Sequence, residues 1–276
     1  MKRNVPLSAR LSSSPYIVWM IMFIIFPLAV VGYYAFTDAS GNFTLYNISI
    51  LSRYTDTFLR SIWFGAIATL ICLVISYPLA YIIFQITENK QGTIIMLVMV
   101  PMWMNFLLRT YSWMLILEDT GIINNWLAKA GLGPIHMINT SGAVILGMVY
   151  NYLPYMILPL YSIMSRMDKS IIEAAKDLGG NNVTVMSKVV FPLSRPGVIS
   201  GITMVFVPSV STFYISQKLG GGKFTLIGDV IEMQFQTSYN YNLGAAMSLV
   251  LMVLILGCLF FMNRFAEDDE EGGIIV

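Results

Sequence analysis

Side chains able to do chemistry are scarce in this 276-residue chain. It has one histidine, His136, and two cysteines, Cys72 and Cys258, each cysteine inside an apolar run. A lone histidine without clustered cysteines or carboxylates does not make a metal site. The cysteines read as small buried hydrophobes, not as a disulfide framework. No nucleophile stands in a pattern with a base, so no catalytic residue and no metal ligand is expected. The phosphate-cradling pattern Gly-x-x-x-x-Gly-Lys-Ser/Thr is absent, so the chain cannot be its own ATPase and holds no nucleotide or Mg itself. Two features remain. One is the segment from Asp168 to Gly180; the other is a scatter of carboxylates and rings beside apolar runs, namely Glu118, Asp119, Asp229 and Glu232 with Trp103 and Tyr111.

The elements that must position these residues are set by composition. The chain is 57% hydrophobic and 11% charged, with a mean hydropathy of +0.71, where a soluble domain carries roughly 25% charged residues. So much apolar surface calls for a bilayer as solvent. A net charge of +1 spread between apolar blocks forms no basic face and argues against nucleic acid. A helix needs about 20 apolar residues to cross a hydrocarbon core of about 30 Å. Six runs qualify: Tyr16–Phe36, Ser61–Gln85, Thr93–Leu117, Gly142–Met164, Gly197–Gln217 and Leu243–Met262. The expected fold is therefore an all-α membrane protein of six transmembrane helices. Prolines 27, 78, 101, 154, 159 and 208 fall within these runs, where neighbouring helices can satisfy the freed backbone groups. The first run is too long for a signal peptide and reads as a retained anchor.

Loop charges set the orientation. A cytoplasmic N-terminus gathers Lys2, Arg3, Arg10, Lys90, Arg166, Lys169, Lys176, Lys188, Arg195 and Arg264 on one side. The other side keeps Arg53, Arg60, Lys129, Lys218 and Lys223. That bias places both termini in the cytoplasm. The division is a cytoplasmic tail at 1–15, a transmembrane domain at 16–263, and an acidic tail at 264–276 read as a solvated, disordered end. Arg109, late in the third run, either snorkels to the interface or lines a path, since an Arg at mid-membrane costs about 2.5–3.5 kcal/mol.

The longest cytoplasmic loop is Ser165–Pro196. Ser170 followed by Glu173 fits a capping box. Ile171, Ala174, Ala175 and Leu178 fall at helical spacing, and Gly179-Gly180 permits a left-handed helix end. A second stretch, Val183–Val190, follows Asn182 as a cap and is expected to stop before Pro192.

Glu173-Ala174-Ala175, then Gly179, then Val189-Val190-Phe191-Pro192 after nine residues resembles the EAA loop of bacterial ABC import permeases. Val189 and Phe191 stand where that family usually has Ile and Leu. The resemblance implies the type I (MetI-like) permease fold with a cytoplasmic coupling helix in the loop 166–196. Glu173, Ala174, Ala175, Asp177, Gly179 and Pro192 would then meet an ATPase dimer, which binds ATP and Mg. It also implies a second, non-identical permease subunit, an extracytoplasmic binding protein and a bacterial cell membrane. Residues 100–111 (VPMWMNFLLRTY), 159–162 (PLYS), 226–235 (LIGDVIEMQF) and 244–246 (GAA) resemble the spermidine/putrescine permeases of that family. On that resemblance the cargo is a polyamine delivered by a polyamine-binding protein, with another small solute as the alternative. A secondary transporter is the rival class, but it predicts intramembrane carboxylates or inverted repeats, and neither is found. Glu173 either caps its own helix or also pairs with a basic ATPase residue. Trp103 and Tyr111 are either interfacial belt residues or ring faces for a passing cation. Glu118, Asp119, Asp229 and Glu232 are either solvated loop positions or a negative entrance.

Overall fold

The computed structural model describes residues 15–272, so Lys2, Arg3, Arg10 and most of the N-terminal tail lie outside it, as do residues 273–276. The described residues are helical apart from turns and one isolated bridge, Thr37 to Phe43. Five helices are long and apolar enough to cross a membrane, or six if one bent pair counts as a single span. We label the helices α1 (Pro15–Ala35), α2 (Thr55–Gln85), α3 (Glu88–Trp103), α4 (Phe106–Leu117), α5 (Ile122–Lys129) and α6 (Ser141–Met164). There follow α7 (Lys169–Asp177), α8 (Asn182–Val210), α9 (Tyr214–Gly220), α10 (Ile227–Gln236) and α11 (Tyr241–Gly272). The helix of α11 continues through the acidic residues Glu267–Glu271, where an irregular end was expected.

The described residues form two compact units, residues 15–55 with 230–253 and residues 56–229 with 254–272. In the first, α1 is apolar along its length and of its residues only Ala35, at its end, is buried, as befits a helix covered by lipid or another subunit. Its end is closed by two asparagines. Asn47 Nδ2 donates to the carbonyl of Thr37 at 2.8 Å, and Asn242 Nδ2 donates to the same carbonyl at 2.7 Å.

The second unit is built on α6 and α8. Gly197 and Gly201 stand four apart, the spacing by which small residues let membrane helices approach. A Cβ on Gly201 would lie 2.5 Å from Met156 Sδ, and one on Gly197 would lie 3.0 Å from the Pro159 carbonyl oxygen. Ala68, Cys72, Met148, Met156, Leu160, Met164, Val205 and Leu219 complete a buried core. Polar groups on the helices are matched across it: Tyr77 Oη lies 2.8 Å from Ser194 Oγ, and Tyr152 donates to the Pro208 carbonyl at 3.3 Å.

Three expected boundaries are corrected. The third run does not cross as one rod: it breaks between α3 and α4, and the helical stretches on either side are bent by 86°. Asn105 makes this possible by accepting the Leu107 amide at 2.8 Å, a side-chain cap inside an apolar run. The helix expected to stop before Pro192 instead continues from Asn182 to Val210. A π turn, Met186–Val190, sits directly before Phe191-Pro192, and a second, Ile21–Ile25, sits directly before Phe26-Pro27. Widening one turn lets a helix pass a residue that has no amide proton and whose ring crowds the preceding turn. Finally, the fifth run ends at Val210 and not at Gln217, and α9 is a separate helix.

The α6–α8 contact generates a test. Gly201→Leu must displace Met156 or part the helices, an overpacking cost of about 1–3 kcal/mol. The variant is expected to lower the thermal unfolding midpoint of the purified protein. Gly257→Leu, at a position with open space around it, should leave the midpoint unchanged.

Candidate functional site

Two groups of the residues singled out above lie near the ends of α6: Glu173 and its neighbours on α7, and Glu118, Asp119 and Tyr111 near α9. The C-terminus of α6 leads into α7, and its N-terminus is met by α9 through the Asn139 amide donating to the Leu219 carbonyl at 2.9 Å. A helix of this length separates those ends by about 36 Å.

At the α7 end, the cap is Asp168 and not Ser170. The helix begins at Lys169, and Asp168 Oδ1 accepts the Ser170 amide at 2.9 Å. That hydrogen bond holds the exposed Asp168 carboxyl below its usual range. Its contribution is therefore present above the ordinary carboxylate pKa and lost as pH falls through the lowered value. The faces of α7 also differ from the expected grouping. Ile172 is buried and Ala175 packs on the core beside it, whereas Ile171, Ala174 and Leu178 point outward, Leu178 being 89% exposed. Glu173 and Asp177, one turn apart, are exposed next to that stripe. Glu173 accepts no hydrogen bond from its own helix start, where Asp168 does the capping.

The turn after α7 needs both of its glycines for different reasons. Gly179 has φ +85°, a conformation that costs any residue with a Cβ. Gly180 has no room, since a Cβ there would lie 2.6 Å from the Ala175 carbonyl oxygen. Asn181 then caps α8 by accepting the Thr184 amide at 2.8 Å. Pro192 is exposed within α8 just beyond the π turn. Behind α7, Lys169 Nζ lies 5.6 Å from the centre of the Phe84 ring. Gln91 donates to the carbonyls of Phe84 and Ile86 at 3.0 and 2.8 Å, and accepts from Tyr161 Oη at 2.9 Å. A cavity of about 530 Å³ lined by Phe84, Gln91, Ser165, Met167, Asp168 and Lys169 lies between these groups. Gln91 was missed in the sequence because its partners are carbonyls and a tyrosine 70 residues away.

At the α9 end, a cavity of about 310 Å³ is lined by Met114, Glu118, Asp119, Thr120, His136 and Lys218, among others. Asp119 Oδ1 is paired with His136 Nδ1 at 2.9 Å. Lys218 Nζ lies 5.4 Å from the Tyr111 ring centre and 5.7 Å from that of Tyr214. Glu118, Asp119 and Tyr111 are thus brought to one place, with Lys218 and Tyr214 as unforeseen members. Asp229 is not a solvent-facing entrance residue. It is 7% exposed, and its two oxygens accept from Ser216 Oγ at 2.8 Å and from the Leu226 amide at 2.7 Å. It stands as the third residue of α10 and reaches back to the amide before the helix, half of a capping box. Glu232 is half-buried on α10, and Trp103 is 67% exposed at the end of α3. Arg109 does not snorkel: it is 8% exposed, its guanidinium lies 6.0 Å from the Phe106 ring centre, and Nε and Nη1 have no hydrogen-bond partner among the described residues.

This geometry has counterparts. Residues 6–267 match the model of the family described as the binding-protein-dependent transport system inner membrane component. The spermidine/putrescine transport system permease protein PotB of Haemophilus influenzae is 38% identical over 267 residues, covering 92% of this chain and 93% of that one. PotB of Escherichia coli K12 is 35% identical over 247 residues, covering 86% and 90%. Among solved structures, a bacterial ABC transporter involved in the import of the acidic polysaccharide alginate superposes with a TM-score of 0.74 at 15% identity, covering 92% and 93%. That likeness shows the fold.

The loop predicts its own failure modes. Gly180→Val should disorder the α7–α8 turn and reduce uptake by the assembled transporter at least as much as Gly179→Ala, which carries only the positive-φ strain of about 1 kcal/mol. Transport assays on the two variants at equal membrane abundance check this; an unaffected Gly180→Val contradicts it. The chain is an all-helical inner-membrane permease subunit, not itself an enzyme, and it belongs to the binding-protein-dependent transport system inner membrane component family, whose members work with an ATPase and a periplasmic binding protein.

Proposed function

We propose that this chain is the permease subunit of an ATP-driven importer of polyamines, spermidine or putrescine, and that α7 is its coupling helix. The observation that carries the reading is the 35–38% identity to two named polyamine permeases over most of the chain. The outward stripe of Ile171, Ala174 and Leu178, flanked by Glu173 and Asp177, supports the coupling role: an exposed apolar stripe with charges beside it is a surface made for another protein. Asp168, Gly179 and Gly180 shape that surface, and the exposed Gly179 and Pro192 stand beside it.

One coupling helix per chain supports a pair of permeases, this one and a homologous, non-identical second, on an ATPase dimer that binds ATP and Mg. The bias of basic residues supports a cytoplasmic α7 and cytoplasmic termini. ATP-driven closure of the dimer moves α7. The pinned corner of Lys169, Phe84, Gln91 and Tyr161 passes that movement to the spans, which exchange between inward- and outward-facing arrangements separated by a few kcal/mol. A polyamine-binding protein delivers cargo at the α9 end, where Glu118, Asp119 and the ring of Tyr111 offer carboxylates and a π face to ammonium groups. Trp103 and Glu232 stand outside that cavity lining and take no assigned part. Asp229 serves indirectly by holding α9 through Ser216. The alternative cargo is another small solute.

Uptake of radiolabelled spermidine and putrescine by cells carrying the full transporter tests this. The expected result is ATP-dependent polyamine uptake that falls at least about tenfold in Glu173→Lys, the scale of 1.4 kcal/mol or more lost from the docking contact. Uptake of a different solute with no polyamine uptake overturns the cargo. Unchanged uptake in Glu173→Lys overturns the coupling role of that residue.

A further inference from the structure

Lys218 occupies an unusual position for a lysine beside two carboxylates. It lines the same cavity as Glu118 and Asp119, yet forms no ion pair with either among the described residues. Asp119 is instead committed to His136. The Lys218 ammonium sits over two rings, those of Tyr111 and Tyr214. The rings meet edge to face, with centres 6.2 Å apart and planes at 82°, and the ammonium sits within 6 Å of both ring centres, near the Tyr111 hydroxyl. Phe106 extends the aromatic surface, its ring centre 5.9 Å from that of Tyr214. The position of Lys218 is fixed from behind. Ser216, two residues earlier and so on the opposite side of α9, is held by the buried Asp229.

We propose that the Tyr111–Tyr214 ring pair is an ammonium-binding step of the substrate path and that Lys218 is its resident competitor, a tethered ammonium that a substrate ammonium displaces toward Glu118. This rests on the polyamine reading above. Aromatic faces bind organic ammonium groups well, so an empty ring pair would bind any such cation that reached it. A tethered ammonium at millimolar effective concentration changes that. A free monovalent cation at low concentration loses the competition. A polyamine, released at the mouth with several ammonium groups, wins it, because one group takes the rings while others meet carboxylates. Displacement is inexpensive because the outgoing Lys218 has Glu118 within the same cavity. The pair thus discriminates by charge multiplicity, and it closes the rings again once the cargo has moved on.

The test uses the complete transporter in proteoliposomes with its binding protein, and reads inhibition of spermidine uptake by tetramethylammonium. Lys218→Met removes the competitor and is expected to become inhibited at a concentration roughly tenfold or more below that needed for wild type. Lys218→Arg, which keeps a cation on the rings, should resemble wild type. Lys218→Cys provides a comparison within one preparation. Its aminoethyl-thio adduct should restore resistance, and its neutral methylthio adduct should not, which decides the matter even if the Met variant does not assemble. Equal sensitivity of all forms in a transporter that takes up spermidine overturns the role of Lys218 and leaves the polyamine reading intact. Absence of both spermidine and putrescine uptake in wild type overturns that reading and this inference with it.

Discussion

A chain in hydrocarbon has no water to satisfy its amides and carbonyls, so every departure from helix must bring its own partner. This constraint explains the irregular features better than any single contact does. The π turns before Phe26-Pro27 and Phe191-Pro192 absorb a residue without a donor while keeping the helix continuous. The break between α3 and α4 is sealed by the side chain of Asn105. Where α8 ends, Tyr152 takes up the Pro208 carbonyl that no further turn can use. These devices let helices bend and stop inside the membrane without leaving backbone groups exposed to lipid.

Such freedom to bend matters because the two candidate regions lie at opposite ends of α6. A tight α6–α8 pair, zipped by Gly197 and Gly201, is stiff enough to carry a movement from one end to the other. The corner where Gln91 ties the α2–α3 connection to Tyr161 puts α7 in mechanical contact with the same pair. At the far end α9 rests on α6 and presents Lys218 to the rings of Tyr111 and Tyr214. Rigid coupling along α6 and weak, exchangeable contacts at the cavity suit a transporter, which must pass its cargo on.

The membrane class, five of the spans and a helix-turn-helix in the loop after α6 were legible in the sequence, because these depend on local hydropathy and fixed spacing. Other features depended on a shift of one residue or on distant partners. Asp168 and Ser170 are both capping residue types, and only the backbone decides which one stands outside the first turn. Ile171 and Ile172 are adjacent and alike, so the pattern alone did not reveal that Ile172 and Ala175 face inward while Ala174 faces out. Asp229 looked like a loop carboxylate because its partner Ser216 lies on a separate short helix. Arg109 was left between the interface and the path, and its burial over Phe106 comes just after the bend that a hydropathy window reads straight through. Lys218 had only Tyr214, one turn earlier on α9, as a local signal, and its second ring, Tyr111, comes from α4.

The central claim is that the outward stripe of α7 docks on the ATPase subunit. Site-directed cross-linking in the assembled transporter addresses it directly, with a photoreactive or thiol probe at Leu178 on the exposed face and at Ile172 on the buried one. The account predicts efficient cross-links to the ATPase from position 178, changing in yield between nucleotide-free and ATP-bound states, and none from position 172. Cross-links from 172 and not from 178, or from neither in a transporter that hydrolyses ATP, would contradict it.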